Sequence, residues 1–118
     1  MLSAAWPAPR VTVSAAMTNA PKAPEACRTM AEVRVGVDAL DRELVALLAR
    51  RFGYMDAAAR IKPARGDVRD EARKVAVMAN ARAQAARLGV PDAVVADLWE
   101  RLVEASIAYE LAAFDARR

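Results

Sequence analysis

The strongest constraint on the fold is an apolar stripe, Val33, Val37, Leu40, Leu44 and Leu47, whose steps run four, three, four and three. That spacing puts all five side chains on one face of an α-helix, as the seam of a buried or paired helix requires. The helix is expected to start at Thr29 or Met30 and to run to Ile61. Pro63 ends it, because the residue before a proline disfavours the helical region. At about 1.5 Å per residue it is close to 50 Å long, more than a compact three-helix monomer needs. Continued by the same steps, the stripe reaches Arg51, Met55, Ala58 and Lys62. Two cations therefore fall where the pattern calls for apolar side chains.

Two more helices follow. Gly66 and Asp67 read as a turn and an N-cap, opening a second helix from Val68 to Arg87 that Gly89 stops. Pro91 and Asp92 suit the first turn of a third, which reaches about Ala116. Its inward stripe reads Val95, Trp99, Leu102, Ser106, Glu110 and Ala113, with polar Ser106 and Glu110 one turn apart on the apolar side. Hydrophobic residues make up 56% of the 118, mostly Ala, Val and Leu, against 5% aromatic. With no sustained period-two alternation, this composition predicts an all-α chain. One layer of three helices buries little core, so oligomerisation is expected. Residues 1–28 read as a disordered extension and 29–118 as the folded domain. The opening residues lack a basic start, Pro7 and Pro9 interrupt their apolar run, and Met17 offers an alternative start.

The composition excludes much chemistry. There is no histidine, which removes His-based triads, HExxH metal sites and the commonest general base. The one cysteine, Cys27, cannot form an internal disulfide and fits no zinc pattern. Net charge is +3, but basic and acidic residues are interspersed from Thr29 onward, so no nucleic-acid surface is expected. No apolar run approaches the ~20 residues that span a bilayer, and a cytoplasmic location is expected. Neither metal nor cofactor is expected.

The polar interruptions suggest a site. Arg51 and Lys62 project within about 20° of one another, roughly 16 Å apart along the axis, with small Ala58 between them. Two long cations framing a gap suit a small dianion. Arg34 lies about 25 Å before Arg51 and is rotated by roughly 100°. It cannot reach that gap on a straight helix, but it can reach the gap of an antiparallel partner. One such cation alone would snorkel to water. The set carries the reading, because unpaired buried charge is costly.

The block "VRVGVDALDRELVALLARRFGYMDAAARIK" resembles the first helix of the all-helical class of chorismate mutase. An arginine, an L-D pair, an L-L run, an R-R pair and a closing lysine carry the likeness, which extends over about Cys27 to Phe114. The resemblance implies an intertwined homodimer of three-helix chains with two sites, each built from both chains. Carried over by motif, Arg34 is the arginine lent by the other protomer, and Arg51 holds a substrate carboxylate. Lys62 contacts a carboxylate and the ether oxygen. In "RDEAR", Asp70 receives the ring hydroxyl and Arg73 is a further carboxylate ligand. Ser106 lies at the carboxylate end, and Glu110 stands where many members have glutamine. Pro63 directly after the lysine and a loop to Asp70 one residue shorter than in the enteric bacterial enzyme domain are departures from the pattern.

The implied reaction is the intramolecular Claisen rearrangement of chorismate to prephenate, which needs no nucleophile, metal or obligatory proton transfer. The protein holds the enolpyruvyl arm over the ring and stabilises charge growing on the ether oxygen. Arg34, Arg51 and Arg73 hold the carboxylates, while Lys62 and Glu110 flank the oxygen. An ionised Glu110 would repel that charge, so Glu110 must carry a proton in the competent state. Two alternatives share these residues. "PEACRTMAEVR" and "RRFGYMDAAARIK" also resemble isochorismate-pyruvate lyase, which forms salicylate and pyruvate, has a glutamine where Glu110 stands, and generally lacks an acid at Asp70. A non-enzymatic helical dimer would pair Arg51 and Lys62 with a partner's acids at the seam edge.

Overall fold

The computed structural model describes residues 20–118. Among these residues the chain is all-α, with α1 over Met30–Ile61, α2 over Glu71–Leu88 and α3 over Asp92–Ala116. Two compact units divide the chain, the first ending at Ala49 and the second spanning Arg50–Arg118. No helix among the described residues is long and apolar enough to cross a membrane.

In the first unit, the start of α1 is fixed by a capping box. Thr29 Oγ1 accepts from the Glu32 amide at 3.2 Å, and Glu32 Oε1 accepts from the Thr29 and Arg28 amides at 3.1 and 2.7 Å. Four N-terminal amides of a helix lack internal partners, and this reciprocal pair supplies some of them. Lys22 pairs with the same carboxylate. Together Lys22, first, and the Arg28 amide hold the Glu32 carboxyl down to about 2. Of the extension expected over 1–28, residues 1–19 lie outside the described residues. Within the remainder, Pro24–Ala26 form a 3-10 turn. The stripe on α1 is uncovered in the single chain, with exposures from 37% at Val33 to 56% at Leu40.

The second unit carries the core. Ala59, at the end of α1, is fully buried against Val68 and Phe114, with Ile107 and Leu111 packed around them. Ala85, Val95 and Val103 are buried too. Phe52 and Tyr109 meet with ring centroids 4.9 Å apart, and the Tyr109 hydroxyl donates to Asp56 at 3.0 Å. The buried positions of α3 are Val95, Val103, Ser106, Glu110 and Phe114. Leu102 and Ala113, expected on the inward stripe, are only half-buried. At about 100° per residue, Leu102 and Ala113 lie at the edge of the arc that Val103, Ser106, Glu110 and Phe114 occupy, which leaves them half-buried.

The start of α2 also differs from the sequence expectation. Asp67 does not cap it. Its carboxylate accepts from the Ala64 amide at 3.1 Å and closes a 3-10 turn over Arg65–Asp67. Val68 then turns into the core, and Asp70 is the N-cap, accepting from the Arg73 amide at 2.9 Å. At the far end, Gly89 adopts φ 75°, a left-handed conformation that favours glycine. The Val90 amide returns to the Ala85 carbonyl at 2.9 Å, completing the stop.

Candidate functional site

The second unit contains a pocket of about 350 Å³, within the range of small-molecule sites. Its wall is built by three stretches. The end of α1 contributes Arg51, Ala58 and Lys62, the first turn of α2 contributes Asp70 and Arg73, and α3 contributes Ser106 and Glu110. Six of the seven site residues expected from sequence therefore meet at one pocket. The seventh, Arg34, is an exposed residue of α1 in the first unit.

Arg51 is fixed before any ligand arrives. Its Nη1 donates to Ser106 Oγ at 2.6 Å, and Ser106 in turn donates to the Leu102 carbonyl at 2.7 Å. The serine hydroxyl uses its single proton on its own helix and offers a lone pair to the guanidinium. Burial, first, and the nearby Arg73 cation, second, push the Arg51 guanidinium below its ordinary range. Both causes act against the charged form, so an anion placed between the two arginines relieves a standing repulsion.

Lys62 and Glu110 face each other with Nζ to Oε2 at 2.7 Å. The Glu110 residue is 4% exposed, whereas the Lys62 side chain keeps 29%. Their contact is electrostatic rather than a well-aligned hydrogen bond. Among the described residues Glu110 Oε2 has no hydrogen-bond partner, and the Lys62 ammonium makes one long bond, 3.4 Å, to the Val68 carbonyl. A buried carboxylate oxygen and a three-donor ammonium thus both retain unused hydrogen-bonding capacity at the pocket wall.

Lys62 is well placed despite the proline that follows it. Its amide donates to the Ala58 carbonyl at 2.9 Å, extending the α1 pattern by one residue. Its carbonyl accepts from Arg118 at 3.0 Å. Pro63 removes only the next donor, which no helix would have used.

Asp70 spends one oxygen, Oδ1, on its capping bond and keeps the other for a second donor. Lys74 also lines the pocket, a residue that sequence reasoning missed. Its ammonium is held by Glu100 at 2.9 Å and Glu104 at 2.7 Å. These bonds, Glu104 before Glu100, raise its pKa. A lysine following "RDEAR" has no distinguishing spacing, and only the packing of α2 on α3 brings it to the wall.

An all-helical chain with a cation-rich pocket lined by residues of all three helices is the class that fold and site define. The chain belongs to the chorismate mutase type II family, whose profile matches residues 33–111. It is similar to the isochorismate pyruvate lyase of Pseudomonas aeruginosa, with 28% identity over 90 residues that cover 76% of this chain and 89% of that protein. No solved structure matches.

Proposed function

We propose that the chain is a chorismate mutase, converting chorismate to prephenate by an intramolecular Claisen rearrangement. The observation that carries this reading is the convergence of Arg51, Arg73 and Lys62 on one pocket with the buried Glu110 carboxyl directly opposite the Lys62 ammonium. In the reaction the ether C–O bond breaks as a C–C bond forms, electrons move around a closed ring, and no atom leaves. Nothing need be attacked or deprotonated, which suits a pocket lined by guanidinium, ammonium and carboxyl groups.

Arg51, pre-set by Ser106, and Arg73 receive substrate carboxylates. Each fork matches a carboxylate in two parallel bonds and fixes its orientation as well as its position. This holds the reactive arm over the ring, so its rotational freedom is lost on binding rather than at the barrier. Asp70 accepts from the ring hydroxyl. Lys62 donates to the ether oxygen as charge builds there. Glu110 donates from the other side once protonated, and a low-dielectric wall strengthens both interactions. Entry of the ether oxygen separates the Lys62–Glu110 pair. Lys62 exchanges a carboxylate for the substrate, and Glu110 exchanges an ammonium for a proton.

The assembly we propose is a homodimer in which a second copy covers the stripe from Val33 to Leu47 and lends its Arg34. Exposed runs of large apolar side chains on this scale mark association surfaces. The test is incubation of purified protein with chorismate, with product identification and Arg51→Ala as control. Prephenate formed by the wild type and lost in the variant is expected.

The likeness to the Pseudomonas aeruginosa protein supports a second reading, elimination of pyruvate from isochorismate driven by the same cations. Asp70 at the wall favours the mutase, since an acid there fits a hydroxyl placed as in chorismate. Salicylate from isochorismate, with no prephenate from chorismate, would reverse the order. Turnover of neither substrate would sink both readings.

A further inference from the structure

We propose that Glu104 is a positioning residue of the pocket, bracing the first turn of α2 against α3 and so setting where Asp70 and Arg73 stand. The consequence for catalysis rests on the function proposed above. Glu104 is outside the pocket and touches no group assigned to the substrate. Its Oε1 accepts from Arg69 Nη2 at 2.7 Å, and its Oε2 accepts from Arg69 Nη1 at 3.1 Å and from Lys74 Nζ at 2.7 Å. Arg69 immediately precedes the Asp70 cap, and Lys74 immediately follows Arg73. One carboxylate of α3 thus grips both ends of the turn that carries two pocket residues. Two and six residues further along the same helix lie Ser106 and Glu110, the pocket groups that the turn must face.

The neighbouring acids cannot replace it. Glu71 also bonds Arg69, at 2.9 Å, but it sits on α2 itself and ties nothing across. Glu100 reaches Lys74 from α3 and leaves Arg69 unheld. Among the described residues, Glu104 alone joins α3 to both flanks.

The brace has a load to hold, because Arg51 and Arg73 line the same pocket and their like charges disfavour each other. Exposed ion pairs contribute little to overall stability. The brace therefore acts on the placement of the turn, with little effect on whether the chain folds.

The experiment compares Glu104→Gln with Asp92→Asn. Glutamine keeps one acceptor but turns an amino group toward a cation. Asp92 is the matched control, since it binds Arg82 in two bonds of 2.8 and 2.9 Å and joins the same two helices at their opposite end. In Glu104→Gln, KM is expected to rise about fivefold with kcat within about twofold, the mark of weakened binding rather than altered chemistry. Hydrogen exchange at the Arg73 amide, bonded to Asp70, is expected to speed up about tenfold, while amides in the second half of α2 hold. Asp92→Asn is expected to change neither readout. Both changes are required of an active protein. Wild-type KM or wild-type protection in Glu104→Gln, or equal effects in Asp92→Asn, overturns the proposal. If the wild type turns over neither chorismate nor isochorismate, the proposed function fails, and the exchange comparison still decides the brace.

Discussion

Replacing Glu110 by glutamine tests the chemistry of the pocket most directly. The side chains have the same length, and glutamine supplies an N–H donor at every pH. The first question is whether the variant folds. Glu110 is buried at 4% exposure, and removing one partner of a fully buried pair costs about 3–5 kcal/mol. Lys62 keeps 29% of its side-chain exposure, so water takes over the ammonium when the carboxylate goes. The pair then behaves closer to an exposed one, and the cost falls to about 1 kcal/mol. Urea unfolding checks this, and a loss of that size leaves the kinetics interpretable. The second question is the direction of the hydrogen bond. The proposed role of Glu110 is that of a donor to the ether oxygen, and glutamine is a donor in its only form. Glu110→Gln is therefore expected to keep or raise kcat/KM, whereas Glu110→Met, which fills similar space and offers no donor, is expected to lower it about a hundredfold in steady-state assays. Equal losses in the two variants would refute the assignment.

Arg51→Lys keeps the charge but loses the fork that Ser106 orients, and kcat/KM is expected to fall about a hundredfold in steady-state assays. A fall under about threefold would show that charge alone suffices. Leu44→Asp, within the uncovered stripe, is expected to shift sedimentation from dimer to monomer and to abolish turnover. An active monomer would exclude Arg34 sharing between copies. Acid should release two exposed ion pairs in a defined window. The Glu32 and Glu104 carboxyls are each held at about 2 by cations, Lys22 first for Glu32 and Arg69 first for Glu104. Their small stabilising contributions are present above the ordinary carboxyl range and are lost as pH falls toward about 2. Carboxyl resonances followed through a pH titration are expected to move below the ordinary carboxyl range at both residues, and ordinary midpoints would count against these pairs.

The long helix was legible because its signals agree. A four-three stripe and a proline stop both point to the helix Met30–Ile61, and the Thr29–Glu32 capping that fixes its start emerged only in the structure. Gly89 announced the α2–α3 turn in the same way. The start of α2 was obscure because Asp67 and Asp70 are equivalent as letters. Only the burial of Val68 beneath Phe114 decides that Asp67 serves the 3-10 turn and Asp70 the helix. Six site residues could be found because Arg51, Lys62, Ser106 and Glu110 break apolar stripes, while the "RDEAR" motif carries Asp70 and Arg73. Lys74 and Glu104 break no pattern. Their roles exist only once α2 lies on α3, and charges on two polar helix faces give no hint of which will meet.

The left-handed turn at Gly89 has a mechanical consequence. It joins α2 to α3 at one end of a helical hairpin, and α2, with 18 residues, carries Asp70 at the other end, about 27 Å away. The turn is thus the fulcrum of a lever whose tip is the pocket wall. A rotation of about 5° at Gly89 swings that tip by about 2 Å over the same helix length, enough to spoil the spacing of Arg73 from Arg51. A β-carbon at residue 89 is strained by the backbone there, so its effect should travel along the hairpin and be felt as poorer substrate capture far from the substitution.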